Sequence, residues 1–189
     1  RWIEEDYNRP YCALQPPVPL QVLDVGTGSG CIAVTLASDL RNSAVTAWDI
    51  SGDALLIARE NVHQWQVRVE LKMEDVLHPS ASAMQQQFDV IVSNPPYICE
   101  KERTAMAKNV LAYEPETALF VPDDDPLRFY RAIAEYGLQV FSEEGTLYFE
   151  TNPIYINKVE EMLSSLGYKQ IEQREDQFGK LRFTKAIRP

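Results

Sequence analysis

The chain has 189 residues, 45% of them hydrophobic and 24% charged, which is enough for one sizeable core and short for two. Asp and Glu number 28 against 18 Lys and Arg, and the formal charge of −10 argues against a broad phosphate-contacting face and so against direct nucleic-acid binding. Cys12, Cys31 and Cys99 form no CxxC pair, His63 and His78 form no ligand motif, and no run of eighteen apolar residues or signal-type N-terminus is present. The expectation is a cytoplasmic protein with no disulfide framework, no metal and no membrane segment. Nothing in the sequence sets the oligomeric state, and a monomer is the default.

The chain opens without Met on Trp2-Ile3-Glu4-Glu5-Asp6-Tyr7, which reads as the middle of an amphipathic helix, so a preceding segment is expected. Asn8 to Pro19, with four prolines, is a linker. Leu20-Gln21-Val22-Leu23-Asp24-Val25 is a first strand, followed by the loop Gly26-Thr27-Gly28-Ser29-Gly30 and a helix from Cys31 to Ala37. Glycines between a strand and a helix permit positive φ and close backbone approach to a ligand, and the free N–H groups of the helix start favour a negative group. A dinucleotide fingerprint places its third glycine one position later, where this chain has Cys31. This departure counts against a pyrophosphate, while a carboxylate, such as that of the methionine part of S-adenosylmethionine, needs less room and fits equally well. Cys31 reads as a small helix residue with no base beside it to make it a nucleophile.

A second strand, Ala44 to Asp49, ends on an acid about twenty residues past the glycine loop, the spacing at which a carboxylate reaches ribose hydroxyls. Capping the next helix, from Ser51, is the alternative role for Asp49, although Ser51 can serve there. In that helix Ala54, Ala58, Val62 and Trp65 recur at helical spacing and are expected in the core. Val67 to Met73 alternates as a third strand and delivers Glu74-Asp75-Val76-Leu77 to the same edge. There Asp75 could accept from an adenine amine and Val76 could cover its face; Asp75 could equally well only start a turn. Ser80 to Gln87 is a polar loop.

Phe88-Asp89-Val90-Ile91-Val92-Ser93 is an apolar strand of the kind buried on both faces of a parallel sheet, and Asn94-Pro95-Pro96-Tyr97-Ile98 stops it abruptly. Two successive prolines remove two backbone donors, leaving the Asn94 side-chain carbonyl and the Pro95 backbone carbonyl as uncontested acceptors. Such a turn suits a planar NH₂ group, whose delocalised lone pair must be aimed at an electrophile, and the Tyr97 ring could stack on the flat substrate. Taken alone, the same residues are also an ordinary strand-ending turn.

Cys99 to Asp125 is a long polar connection of the sort that forms lids or substrate-binding elements. Asp125-Pro126 starts a helix with Phe129, Tyr130, Ile133, Ala134 and Leu138 as its buried stripe. Glu144-Gly145 turns into a fifth strand, Thr146 to Glu150. Asn152-Pro153 caps a last helix carrying Val159, Met162, Leu163 and Leu166 and ended by Gly167, and Tyr168–Glu172 with Leu181–Thr184 forms a terminal strand pair. The fold expected is α/β, a Rossmann-like seven-stranded, mostly parallel sheet with helices on both faces and an antiparallel C-terminal pair.

Val22 to Gly30, then Asp49, then Ser93 to Ile98, in that order and spacing, resemble a class I S-adenosylmethionine-dependent methyltransferase acting on a planar nitrogen. With the later Tyr113-Glu114-Pro115-Glu116-Thr117-Ala118-Leu119, the chain is similar to the HemK family of release factor glutamine N5-methyltransferases from about Leu20 to its end. The resemblance implies that Asp24, Gly26, Thr27, Gly28, Ser29, Gly30, Asp49, Asp75, Val76 and Asn94 hold S-adenosylmethionine. It also implies that Asn94, Pro95, Pro96 and Tyr97 hold the substrate glutamine, with Asn94, Pro95 and Tyr97 nearest the chemistry, and that a release factor is the partner. Residues 1–19 would then be the remnant of helix and linker from a small N-terminal helical domain, and residues 20–189 the methyltransferase domain. Two other readings stay open: an amino-methyltransferase acting on adenine or guanine in nucleic acid, and a non-catalytic nucleotide-binding module.

Overall fold

The computed structural model describes residues 1–7, 18–96, 98–99, 120–121 and 124–189, with backbone alone for 98–99 and 120–121. Its elements run α1 (Trp2–Tyr7), β1 (Leu20–Val25), α2 (Cys31–Asp39), β2 (Ser43–Asp49), α3 (Gly52–Gln64), β3 (Val69–Met73), a 3₁₀ turn (Ala83–Gln85) and β4 (Phe88–Ser93). Two short strands follow, β5 (Ile98–Cys99) and β6 (Phe120–Val121), paired with each other. Then come α4 (Arg128–Val140), β7 (Phe141–Glu150), α5 (Ile156–Ser165), β8 (Lys169–Glu175) and β9 (Leu181–Ile187).

Seven strands form one sheet in the order β3-β2-β1-β4-β7-β9-β8, and all pair in parallel except at β9, which runs antiparallel to both its neighbours. The expected sheet is therefore present, with its antiparallel C-terminal pair. The central strands are apolar on both faces because both faces are covered. Val22, Val45, Val90 and Tyr148 pack with Ile3 of α1 and Leu36 of α2, while Leu23, Ile91 and Leu147 pack with Ile133 of α4 and Leu163 of α5. From β1 the chain winds outward through β2 and β3, then returns to place β4 on the other side of β1. The connections leaving β1 and β4 thus diverge, and the cleft between them lies at the carboxyl edge, where open α/β sheets bind ligands.

Five local expectations are corrected. Trp65, expected in the core, is 65% exposed, because α3 turns Leu55 and Ala58 inward and the chain leaves the helix at Gln64. Glu144-Gly145 is a bulge inside β7 and not a turn before it: Phe88 pairs with Phe141 and Val90 with Thr146, and a Cβ on Gly145 would run into the Phe141 side chain. The last helix starts at Ile156 and not at Asn152-Pro153, since the Asn152 carboxamide accepts from the Ile154 N–H at 3.0 Å and closes a turn of its own. Likewise α4 begins at Arg128, and the Asp125 carboxylate grips the Arg131 guanidinium with two contacts of 3.0 Å. Phe129 and Leu138 are only half-buried, while Tyr136 and Val140 complete the inner stripe. Among the described residues no helix is long and apolar enough to cross a membrane.

Candidate active site at the carboxyl edge

The glycine loop leaves β1 in the cleft. Gly26 and Gly28 have φ of +71° and +56°, a region that side chains disfavour, and a Cβ on either would meet nothing within 4 Å. Their bare backbones therefore face open space. Gly30, with φ +83°, differs: a Cβ there would stand 3.1 Å from that of Ala58, so its missing side chain also lets α2 and α3 approach. Thr27 is buried and donates its hydroxyl to Asp24 Oδ2 at 2.7 Å, and the Ala33 N–H at the start of α2 donates to the same oxygen at 3.1 Å. Ser29 accepts at its carbonyl from Asn61 Nδ2 at 2.8 Å, so α3 braces the loop.

Asp24 is fully buried at the end of β1, and its Oδ1 lies buried with no hydrogen-bond partner among the described residues. Burial pushes its carboxyl up to about 6, against the hydrogen bonds from Thr27 and Ala33 and with help from the negative Asp49 nearby. An orphaned acceptor beneath a loop that faces open space at Gly26 and Gly28 is a place for a cationic or N–H-bearing group.

Asp49, at the end of β2, accepts from the Gly28 N–H through Oδ2 and from the Ser51 N–H through Oδ1, both at 2.8 Å. Ser51 is the N-cap of α3, accepting from the Ala54 N–H at 3.2 Å, so the capping duty falls to it. Asp49 instead ties the second strand end to the glycine loop. Asp75 is half-buried, with Oδ1 accepting from the Leu77 N–H at 2.9 Å and Oδ2 lying 3.0 Å from His78 Nδ1, so any adenine amine would share an already engaged carboxylate. Val76 is half-buried against the main core. Ile50, which the sequence reading passed over, is 63% exposed directly after Asp49 at this edge. An aliphatic residue following a strand-end acid was the available signal.

At β4 the strand ends on Ser93, and Asn94 is exposed, Pro95 buried and Pro96 half-buried. Tyr97 and the segment Tyr113 to Leu119 lie outside the described residues. Ser93 is 1% exposed and donates its hydroxyl to the Val25 carbonyl at 2.7 Å. Because Val25 and Ser93 are paired in the parallel register, this bond fastens the Asn94 turn to the root of the glycine loop. Pro95 and Pro96 have no N–H to extend the ladder, and the serine hydroxyl supplies a donor at that point. Neither Ser93 nor Asn61 announces itself in the sequence, since each acts through a partner far away in the chain. Among the described residues no group of three His, Cys, Asp or Glu side chains could hold a metal ion.

Residues 13–119 match the family model described as methyltransferase small domain. A release factor glutamine methyltransferase of Bacteroides thetaiotaomicron is 47% identical over 173 residues, covering 91% of this chain and 62% of that protein. One of Flavobacterium psychrophilum is 42% identical over 167 residues, covering 88% of this chain and 58% of that protein. The chain thus spans about three-fifths of the length of these curated relatives. Among solved structures, a methyltransferase from Pyrococcus furiosus superposes with a TM-score of 0.64 at 19% identity, covering 90% of this chain and 75% of that one, a likeness of fold.

Proposed function

The chain belongs to the methyltransferase small-domain family, and on that premise we propose that it transfers a methyl group from S-adenosylmethionine to the side-chain amide nitrogen, N5, of a glutamine in a peptide chain release factor. The observation that carries the reading is the juxtaposition of a ligand-ready glycine loop with an acceptor-rich Asn-Pro-Pro turn, held together by the 2.7 Å bond from Ser93 to Val25. A binding module needs only the first of these. The names of the Bacteroides and Flavobacterium relatives support the glutamine of a release factor as substrate.

The residues fit the cofactor: open space over Gly26 and Gly28, and the orphaned Asp24 Oδ1. In this reading Gly26, Thr27, Gly28, Ser29 and Gly30 cradle its amino-acid part and Asp24 balances the positive charge. Asp49 receives the ribose, and Asp75 with Val76 receives the adenine. When bound, S-adenosylmethionine supplies an electrophilic methyl on a sulfonium. Asn94 and the Pro95 carbonyl accept the two N–H bonds of the amide, aim its lone pair and stabilise the positive charge that grows on nitrogen. Pro96 and Tyr97 shape the slot for the flat amide. The reading carries with it a protein partner and a cytoplasmic location, with residues 20–189 as the catalytic domain.

Incubation with labelled S-adenosylmethionine and either a release factor or bulk RNA tests this. Label in the release factor at glutamine is expected; label in RNA, or none in either, overturns it. S-adenosylmethionine and its demethylated product should raise the melting temperature by mass action and NAD should not, and protection by NAD alone would refute the cofactor assignment.

A further inference from the structure

Methylation of an amide leaves a proton to be removed, and we propose that the carboxylate of Glu150 removes it. The inference rests on the amide-methyltransferase reading above. As the nitrogen lone pair forms the N–C bond, the electrons of the broken C–S bond return to sulfur, and the nitrogen holds a methyl, two hydrogens and a positive charge. One N–H proton passes to a Glu150 oxygen as that charge develops, leaving a neutral N-methyl amide and a carboxylic acid that releases its proton to water. The N–H grows more acidic as the N–C bond forms, so a carboxylate already in position takes the proton during the transfer and lowers its barrier.

The sheet places Glu150 at that position. Ser93, the last residue of β4, pairs in parallel with Phe149 on β7, so Asn94, just past the one strand, and Glu150, at the end of the other, follow that pair at the carboxyl edge. Neighbouring strands stand about 4.8 Å apart, within reach of one substrate group. Glu150 and Ser93 also line a cavity of about 510 Å³ walled mostly by α1, α2 and the C-terminal strand pair. Its backbone is anchored: the Tyr130 hydroxyl donates to the Glu150 carbonyl at 3.2 Å, and the adjacent Thr151 donates its hydroxyl to the Arg182 carbonyl at 2.9 Å. The Arg182 guanidinium stands 3.7 Å from Glu150 Oε1 and 3.3 Å from Asp176 Oδ2. With a side chain 30% exposed, Glu150 has a path for the proton to solvent.

The test compares parent, Glu150→Gln and Glu150→Asp in the full natural protein, with labelled S-adenosylmethionine and a release factor. For Glu150→Gln, kcat should fall roughly 10²–10³-fold, with KM changed by less than about threefold and cofactor affinity by calorimetry unchanged. The acid limb of the parental kcat profile should vanish, and Glu150→Asp should recover part of the rate. In the parent, the ¹³C carboxyl resonance of Glu150 should move when a glutamine peptide is added to the complex with the demethylated cofactor. A Glu150→Gln variant with kcat within about threefold of parent, or with an unaltered pH profile, overturns the proposal, as does a resonance that the peptide leaves in place. Loss of cofactor affinity in step with kcat in both variants means a structural role and also overturns it. A parent that labels RNA and no glutamine refutes the amide reading itself, a result separable from the other outcomes because it appears before any substitution.

Discussion

The Ser93 hydroxyl donates to the Val25 carbonyl at 2.7 Å across the cleft between β4 and β1, joining the substrate turn to the glycine loop through one buried bond. Ser93→Ala should leave that carbonyl short of a donor and cost about 1–3 kcal/mol. Thermal melts should show a drop of roughly 2–12 °C, for a chain of this size loses about 2–4 °C per kcal/mol. Ser93→Thr, which keeps the donor, should melt closer to the parent than Ser93→Ala. Equal melting of all three proteins would mean that the bond contributes nothing to the site's rigidity.

Asp49 is already bonded to the loop it helps to form, so its removal should be felt twice. Asp49→Ala takes an acceptor from the ribose and frees the Gly28 N–H, and cofactor affinity should fall by roughly 1.5–3 kcal/mol. Asp49→Asn, which keeps one oxygen, should fall less. Calorimetric titration measures both, and an affinity equal to the parent's in Asp49→Ala would confine the residue to loop bracing.

The buried Asp24 makes a stability term with a definite sign. Its folded value, about 6, lies above the ordinary 3.8, so the folded state holds the proton more tightly than the unfolded chain does. The stabilisation is complete below about pH 3.8, declines as pH rises through 6, and amounts to about 3 kcal/mol for a shift of this size. Asp24→Asn should therefore flatten the fall in stability between pH 4 and 7 in denaturant titrations. A parental slope that the substitution leaves unchanged would assign the pH dependence to other groups.

Asn94 is exposed at a strand end, and its proposed partner is the substrate amide. Asn94→Ala should melt like the parent and bind cofactor nearly as well, while turnover at saturating substrate falls by a factor of a hundred to a thousand. That corresponds to about 3–4 kcal/mol, the scale of losing one preorganised group where charge develops. Comparable turnover would make the turn architectural.

Much of this fold is written locally. β1 is bounded as expected at Leu20 and Val25 because Pro19 and Gly26 bracket a stretch rich in Val and Leu, and the glycine loop and Asn-Pro-Pro turn punctuate the chain through backbone restrictions that need no partner. Gly167 ends the last helix with φ +92° for the same reason. Trp65 shows the limit of periodicity, since helical spacing names a face without saying whether another element covers it. The order of strands is a property of the whole chain. The sequence by itself determined that β1 and β4 each end in chemistry: an acid and glycines on one, uncontested acceptors on the other. Only the tertiary structure decided that Ser93 reaches Val25, that Gly30 makes room for Ala58, that Asp49 holds Gly28 and that Ser93 pairs with Phe149, one residue before Asn94 and Glu150. Each of those contacts joins residues 21 to 68 positions apart, and whether such residues meet depends on which strands pair and in what register, a choice made by the packing of both sheet faces at once.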